Sequence, residues 1–417
     1  MAGAFRSKKF PITWQWAKDH QNVQVDFGRD LIAHAHTQGL KVLLGFTPFG
    51  YDGVNQLPLE QPALKATGPD GKPVAEFGIG CWGWNLCPGR VESQQFMREY
   101  VREMAFDFYP QADGLFIESS DYAICHCAEC GEKFFDHEFA FVRAISNETW
   151  QRQPSATVVV YPHYFSGAKL RLGNHQATAA RQPFDPRWTL FFTPHSAPLE
   201  PNLIAQARGA WWWNEAPSRF DIAGLQAGVR KARDAHCTGY VPSLECYSYI
   251  PTRPESGEPW LVGKRQIPFG FGWLREGDNP YSQLPVRAIR LAWRELTVNP
   301  ELTEAALHAR LGRELFGPNW ESGNVEDLLE VLGILNTDRD WSVPGALTTP
   351  GLVRARAGRG ALDAAKRSLL RAQLARVKSM AERYRTEPEG GAEELGRIAR
   401  WFAEQWAPHE SEILGAP

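Results

Sequence analysis

Between about residue 26 and residue 250 the chain alternates amphipathic stretches with short apolar runs. "DLIAHAHTQG" leads to "KVLLGF" (41–46). "ESQQFMREYVREMAFDFY" has Phe96, Tyr100, Val101, Met104 and Phe108 on one helical face and leads to "GLFIE" (114–118). "EKFFDHEFAFVRAISNETW" leads to "ATVVVY" (156–161), and further apolar runs follow at "WTLFFT" (188–193), "GAWWWNE" (209–215) and "GYVPSLE" (239–245). Alternation of this kind predicts parallel strands joined by helical crossovers. Runs apolar on both sides predict strands covered on both faces.

The ends of these strands resemble one another. "LLGFTPFGY", "VVVYPHYFS" and "LFFTPHSAP" each follow an apolar run with Pro and an aromatic residue or His. Proline ends ladder pairing, so Phe49, His163 and His195 are expected to emerge at corresponding places, with Glu118, Glu215 and Glu245 at three other strand ends. Polar groups gathered on one rim are expected at the C-terminal face of a (β/α)₈ TIM-type barrel, where its active sites lie. Six strands are convincing and "RSKKFPITWQWAK" is at best an irregular seventh. The barrel is therefore expected to lack its first strands, or to begin upstream of Met1. After residue 280 the strand pattern stops, and helical segments rich in Ala, Leu, Arg and Glu follow. The expected division is a barrel catalytic domain over 1–280 and an α-helical domain over 281–417, with Asn299-Pro300 capping one of its helices.

Composition narrows the function. Hydrophobic content of 43% fits a globular chain. No run approaches the roughly 18 apolar residues of a membrane helix, and "MAGAFRSKKFPITWQW" has no apolar signal core. The expected location is cytoplasmic for the chain as it stands, and secreted or periplasmic if its N-terminus is truncated. A formal net charge of −3, with no Lys/Arg stripe, argues against nucleic acid as a partner. The unusual count is 16 Trp, an excess that suits stacking on sugar faces as well as core packing.

Candidate chemistry concentrates in "ADGLFIESSDYAICHCAEC" (112–130), where an apolar run breaks into two carboxylates and three thiols. Hydrolysis of a glycosidic bond needs one carboxylic acid to protonate the leaving oxygen and a second carboxylate to attack the sugar or activate water. Glu118, at the end of an apolar strand that would raise its pKa, is the first candidate for the acid, and Asp121 could share that role. Glu215 or Glu245, from other strands, could supply the second carboxylate. Tyr51, Trp82, Trp84, His163, His195, Trp213, Asn214 and Tyr247 are candidate substrate contacts. Each carboxylate or His could instead be a satisfied structural group.

Cys125-X-Cys127-X-X-Cys130 puts three soft ligands together, and His126, Cys81, Cys87 or Cys246 could complete a closed structural zinc site. A disulfide, or free thiols packed beneath the loop, are the alternatives. No HExxH cluster, Gly-rich phosphate loop or dinucleotide motif occurs, and sugar hydrolysis would require no cofactor.

"LIAHAHTQGLKVLLGF", and "NLCPGRVESQQFMREYVREM" leading to "ADGLFIESSD", resemble the third and fourth βα units of barrel glycoside hydrolases of the α-glucuronidase and β-N-acetylhexosaminidase type. The Cys-X-Cys-X-X-Cys run is similar to uncharacterised relatives of the α-glucuronidases, and "AWRELTVNPELTEAAL" looks like the helical region after their barrels. The resemblance covers roughly residues 30–320. It implies a fourth-strand acid at Glu118 or Asp121 and places Glu215 on strand seven, where retaining enzymes carry their nucleophile. The Asp-Glu pair of the hexosaminidases and the Lys-Ala-Asp-Ser-Glu run of the α-glucuronidases do not occur. The expected activity is glycoside hydrolysis of an oligosaccharide or polysaccharide. A non-catalytic carbohydrate-binding barrel and a zinc-dependent hydrolase or deacetylase are the rival expectations.

Overall fold

The computed structural model describes residues 5–15, 26–50, 53–74, 84–118, 124–131, 133–166, 183–193, 199–214, 222–242, 260–262, 265–267, 284–336, 363–387 and 390–415. The six apolar runs form β1 (Leu43–Phe46), β2 (Gly114–Ile117), β3 (Thr157–Val160), β4 (Trp188–Phe192), β5 (Gly209–Asn214) and β6 (Gly239–Pro242). They lie in that order in one sheet, with β1 to β5 paired in parallel. In register, Leu44 lies opposite Leu115, Leu115 opposite Val158, and Val158 opposite Trp188. Helices α1 (Ile12–Gln15), α2 (Phe27–Thr37), α3 (Val91–Arg102), α4 (Phe134–Arg152), α5 (His163–Ser166), α6 (Pro201–Ile204) and α7 (Ile222–Asp234) precede or link the strands. A π-helical turn, Glu103–Phe108, extends α3.

The sheet is an α/β half-barrel, and the closed eight-stranded TIM-type barrel expected from the sequence does not form. The order runs from β1 to β6 with no pairing back to β1 among the described residues. Right-handed twist curls six parallel strands only part way, whereas closure takes eight with matched tilt and stagger. The segment considered for a seventh strand is helical at α1. It is held instead by side chains: the Ser7 hydroxyl donates to Glu103 Oε2 at 2.5 Å, and the Lys8 amide donates to Glu103 Oε1 at 2.7 Å. A separate antiparallel pair, β7 (Trp260–Val262) with β8 (Arg265–Ile267), is not part of the parallel sheet.

Alternation along the strands separates two faces. Phe46, Trp188 and their neighbours of the same parity meet α4: Phe46 lies 6.2 Å from Phe141, ring to ring, and Trp188 lies 5.6 Å from Phe139. The Trp188 indole also donates to Ser146 Oγ at 3.0 Å, so this buried ring leaves no polar atom unpaired. Strand β2 starts tightly against β3. Gly114 has φ +148°, and a Cβ there would fall 1.9 Å from the Thr157 carbonyl oxygen.

The chain divides into two compact units, one of Met1–Trp213, Ala235–Gly239 and Trp260–Pro268, the other of Asn214–Asp234, Tyr240–Pro259 and Phe269–Pro417. The second unit is helical, with α8 (Leu284–Val298), α9 (Glu304–Phe316), α10 (Ser322–Asn336), α11 (Ala364–Arg383), α12 (Gly391–Trp406) and α13 (Glu410–Leu414) joining α7. Its core is aliphatic, with Leu307, Leu311, Leu328, Leu374 and Ile398 shielded from solvent. The cap of α9 is Thr303, whose Oγ1 accepts the Ala306 amide at 3.3 Å, rather than the Asn299-Pro300 pair; Asn299 instead accepts the Glu301 amide in the turn before it.

Candidate functional site

The sheet face opposite α4 carries a row of aromatic rings, because Phe116, Phe191 and Trp213 share one parity across the register. Phe116 and Phe191 meet edge-on at 4.8 Å, Tyr161 packs 5.2 Å from Phe191, and Trp213 stacks on Phe191 at 6.1 Å with 27° between the planes. Phe116 and Trp213 are half-buried, whereas Tyr161 and Phe191 are buried. Glu118 lies two residues beyond Phe116, on the same parity and past the C-terminal end of β2. Its amide donates to the Phe46 carbonyl at 3.0 Å, and its side chain is exposed. The arrangement is a row of aromatic rings, most of them set edge-on or tilted to one another, with an exposed carboxylate two residues beyond Phe116.

Of the other expected substrate contacts, Trp84 is half-buried with the Lys65 ammonium 4.2 Å from its ring centroid. Asn214 is the last residue of β5, and His163 opens α5 directly after β3. Asp121, Glu215, Glu245, Tyr51, Trp82, His195 and Tyr247 lie outside the described residues. Phe116, Tyr161 and Phe191 are not among the candidate contacts the sequence points to. The period-two pattern identifies strands but does not say which of two apolar faces a helix will cover.

The thiols form the second feature. Cys87, Cys125, Cys127 and Cys130 bring all four sulfurs within 4.8 Å of one another, and Cys87 Sγ lies 3.4 Å from both Cys127 Sγ and Cys130 Sγ. None of the four is in a disulfide. The fourth member of the cluster is Cys87; His126 is exposed and lies outside the set, and Cys81 and Cys246 are outside the described residues. A Cys 38 positions upstream of the triplet has no finger-like spacing, so the sequence could not choose among the candidates.

Local structure explains the convergence. The Cys87 amide donates to the Leu64 carbonyl at 2.8 Å, and the Ala66 amide to Asn85, which lays residues 64–66 against 85–87. Thr67 continues that segment: its amide points to Cys125 Sγ at 3.3 Å, and its carbonyl accepts the His126 amide at 2.6 Å. Pro88-Gly89 then turns the chain into α3, and a Cβ at Gly89 would sit 2.9 Å from Cys130 Sγ. Gln94 bridges α3 and α4 by donating to the carbonyls of Pro88 and His137, each at 2.8 Å.

The four thiols titrate as a group. Hydrogen bonds from Cys130 and Cys87 pull Cys125 far below the usual thiol range. The bond to Cys125 pushes Cys130 up, and it raises Cys87 to about 12; Cys127 is raised by burial. One proton thus leaves easily and the others only against accumulated charge, which a divalent cation would neutralise. The cluster can hold a metal ion, and four protein ligands would leave a tetrahedral ion no open position for substrate.

No protein-family model matches the chain, and no curated protein or solved structure matches it either. Among the described residues, no helix is long and apolar enough to cross a membrane.

Proposed function

We propose that the protein is a glycoside hydrolase that works at the C-terminal edge of its parallel sheet, with Glu118 as the acid. The observation that carries the reading is the pair of half-buried rings Phe116 and Trp213, backed by the buried Tyr161 and Phe191, on the strand face that continues to Glu118: partly exposed rings of this kind stack on the apolar faces of sugars, and a carboxyl beside them meets the glycosidic oxygen. Glu118 protonates the leaving oxygen as the bond to the anomeric carbon breaks. The second carboxylate is sought at Glu215, the next residue after β5, and at Glu245, with Asp121 as the alternative partner on the Glu118 side. A separation of about 5–5.5 Å between the two carboxyls gives retention and one of about 6.5–9.5 Å gives inversion.

We further assign zinc to the thiol cluster. Zinc–sulfur bonds of about 2.3 Å around a tetrahedral ion put sulfurs about 3.8 Å apart, which agrees with four sulfurs that approach to 3.4 Å and all lie within 4.8 Å of one another. Soft thiolates without imidazole or carboxylate partners suit zinc in this geometry. The ion stays outside the reaction.

The test is turnover of aryl glycosides, glucuronides and plant or algal oligosaccharides by the parent and by Glu118→Gln. Turnover by the parent with loss of about 100-fold or more in the variant is expected. Full activity in Glu118→Gln would remove the acid assignment, and glycan binding without turnover by either protein would mark a carbohydrate-binding protein instead.

A further inference from the structure

We infer that Cys127 is an oxidation site, at which a hydroperoxide joins it to Cys87 in a disulfide and releases the metal; the release rests on the reading of the thiol cluster as a zinc site. Access distinguishes this sulfur from the other three. Cys87, Cys125 and Cys130 are buried, at 0%, 0% and 1% exposure, whereas Cys127 is half-buried. The Cys125 sulfur also accepts the Thr67 amide at 3.3 Å, and the Cys130 sulfur lies under Gly89, where even a Cβ would come within 2.9 Å. A small neutral oxidant meets Cys127 first.

The resolving thiol is already in place. Cys87 Sγ stands 3.4 Å from Cys127 Sγ, although the two residues are 40 positions apart in the chain. The Cys127 thiolate attacks the terminal oxygen of the hydroperoxide, the O–O bond breaks, the remainder leaves as an alcohol after taking up a proton, and the sulfur becomes a sulfenic acid. The Cys87 sulfur then attacks the Cys127 sulfur; an S–S bond of about 2.05 Å forms, the S–O bond breaks, and water leaves. Two thiols and one hydroperoxide thus give one disulfide, one alcohol and one water, with two electrons passing from sulfur to the peroxide oxygens.

Oxidation leaves Cys125 and Cys130 as the only thiols of the cluster, half the donor set of a closed zinc site, so the ion departs. The new bond takes over the cross-link that the ion provided. The segments it joins are already aligned, since the Cys87 amide donates to the Leu64 carbonyl at 2.8 Å and the Thr67 carbonyl accepts the His126 amide at 2.6 Å. A covalent link between residues so far apart in the chain also restricts the unfolded state. The oxidised protein therefore stays folded, and reduction returns the thiols to which zinc binds again.

The experiment treats the reduced full chain with hydrogen peroxide, follows zinc release with a chelating dye, and maps disulfides in alkylated peptides by mass spectrometry at the same times. The parent should carry one zinc per chain, lose it with the rate constant at which the Cys87–Cys127 disulfide forms, and recover it when dithiothreitol and zinc are added. Cys127→His, which keeps a ligand that zinc accepts but removes the accessible sulfur, should release zinc at least about tenfold more slowly. A first disulfide other than Cys87–Cys127 overturns the inference. So does zinc retained after that disulfide has formed, or equal release from the parent and Cys127→His. If Cys127→His holds no zinc, the disulfide map of the parent decides. A reduced parent that neither carries nor takes up zinc overturns the zinc reading itself, and the release falls with it.

Discussion

The sheet unit and the helical unit both exclude solvent from their centres, but their interiors are built differently. The sheet unit buries large rings, among them Trp188, Tyr100, Tyr109, Phe139 and Phe141, and ties its connections with thiols and buried polar bonds. The helical unit buries mainly Leu, Ile, Val and Ala, with ion pairs at its boundary such as Arg383 with Asp327 at 2.5 Å and Arg376 with Glu330 at 3.1 Å. Aliphatic helix packing tolerates exchange of one apolar residue for another of similar volume. An arrangement that needs four sulfurs at one point, or a Gly against a carbonyl, tolerates little. The difference concentrates the positions that tolerate little change in the connections of the sheet.

The largest test of this contrast is truncation of a core residue in each unit. Trp188→Ala removes a ring in contact with Phe139, Trp150 and Phe165 and leaves Ser146 without its donor, and should cost about 3–5 kcal/mol in denaturant unfolding. Leu374→Ala in the helical unit should cost about 2–5 kcal/mol and leave the zinc content unchanged. Release of metal by Leu374→Ala would show that the two regions cannot be treated separately.

A second test uses a buried charge in the sheet unit. Glu138 is fully buried on α4, accepts the Tyr164 hydroxyl at 2.6 Å through Oε1, and has no partner for Oε2 among the described residues. Burial pushes its carboxyl up to about 7 from an ordinary 4.5. Between those two values the unfolded chain releases a proton that the folded protein keeps, so stability should fall as pH rises across this window and level off above it. Relative to Glu138→Gln, the fall should amount to about 3 kcal/mol, read from unfolding curves at pH 4.5 and pH 8. Parallel curves for the two proteins would show that Glu138 ionises without penalty.

The smallest expected effect is also the most local. Gly89→Ala would push a methyl against Cys130 Sγ and should cost about 1–3 kcal/mol while weakening zinc retention in a chelator competition. An unchanged competition curve would mean that the turn shifts without moving the sulfur.

Much of the fold is legible in the chain. Each of the six apolar runs holds a strand, because short runs of Val, Leu, Phe and Trp bounded by Gly and Pro are too short for a buried helix and pack well on a covered sheet. The helices α3 and α4 follow the periodicity of Phe96, Tyr100 and Val101 and of Phe135, Phe139 and Val142. Sheet closure was not legible, since local pattern gives strands but neither their tilt nor the number that complete a circle. The site was legible in part. Glu118 and the Cys triplet stand out because an apolar strand breaks abruptly into them.

The identity of the fourth thiol is different in kind. By itself the sequence determined which residues form strands and helices, and that carboxylate and thiols follow β2. Only the tertiary structure decided that Cys87 joins Cys125, Cys127 and Cys130, that Phe116, Tyr161, Phe191 and Trp213 share one face, and that the sheet stops at half a barrel. Local elements follow from periodicity and backbone hydrogen bonding, which act over a few residues. Convergence of positions tens of residues apart in the chain depends on register and packing, which exist only once the chain has folded.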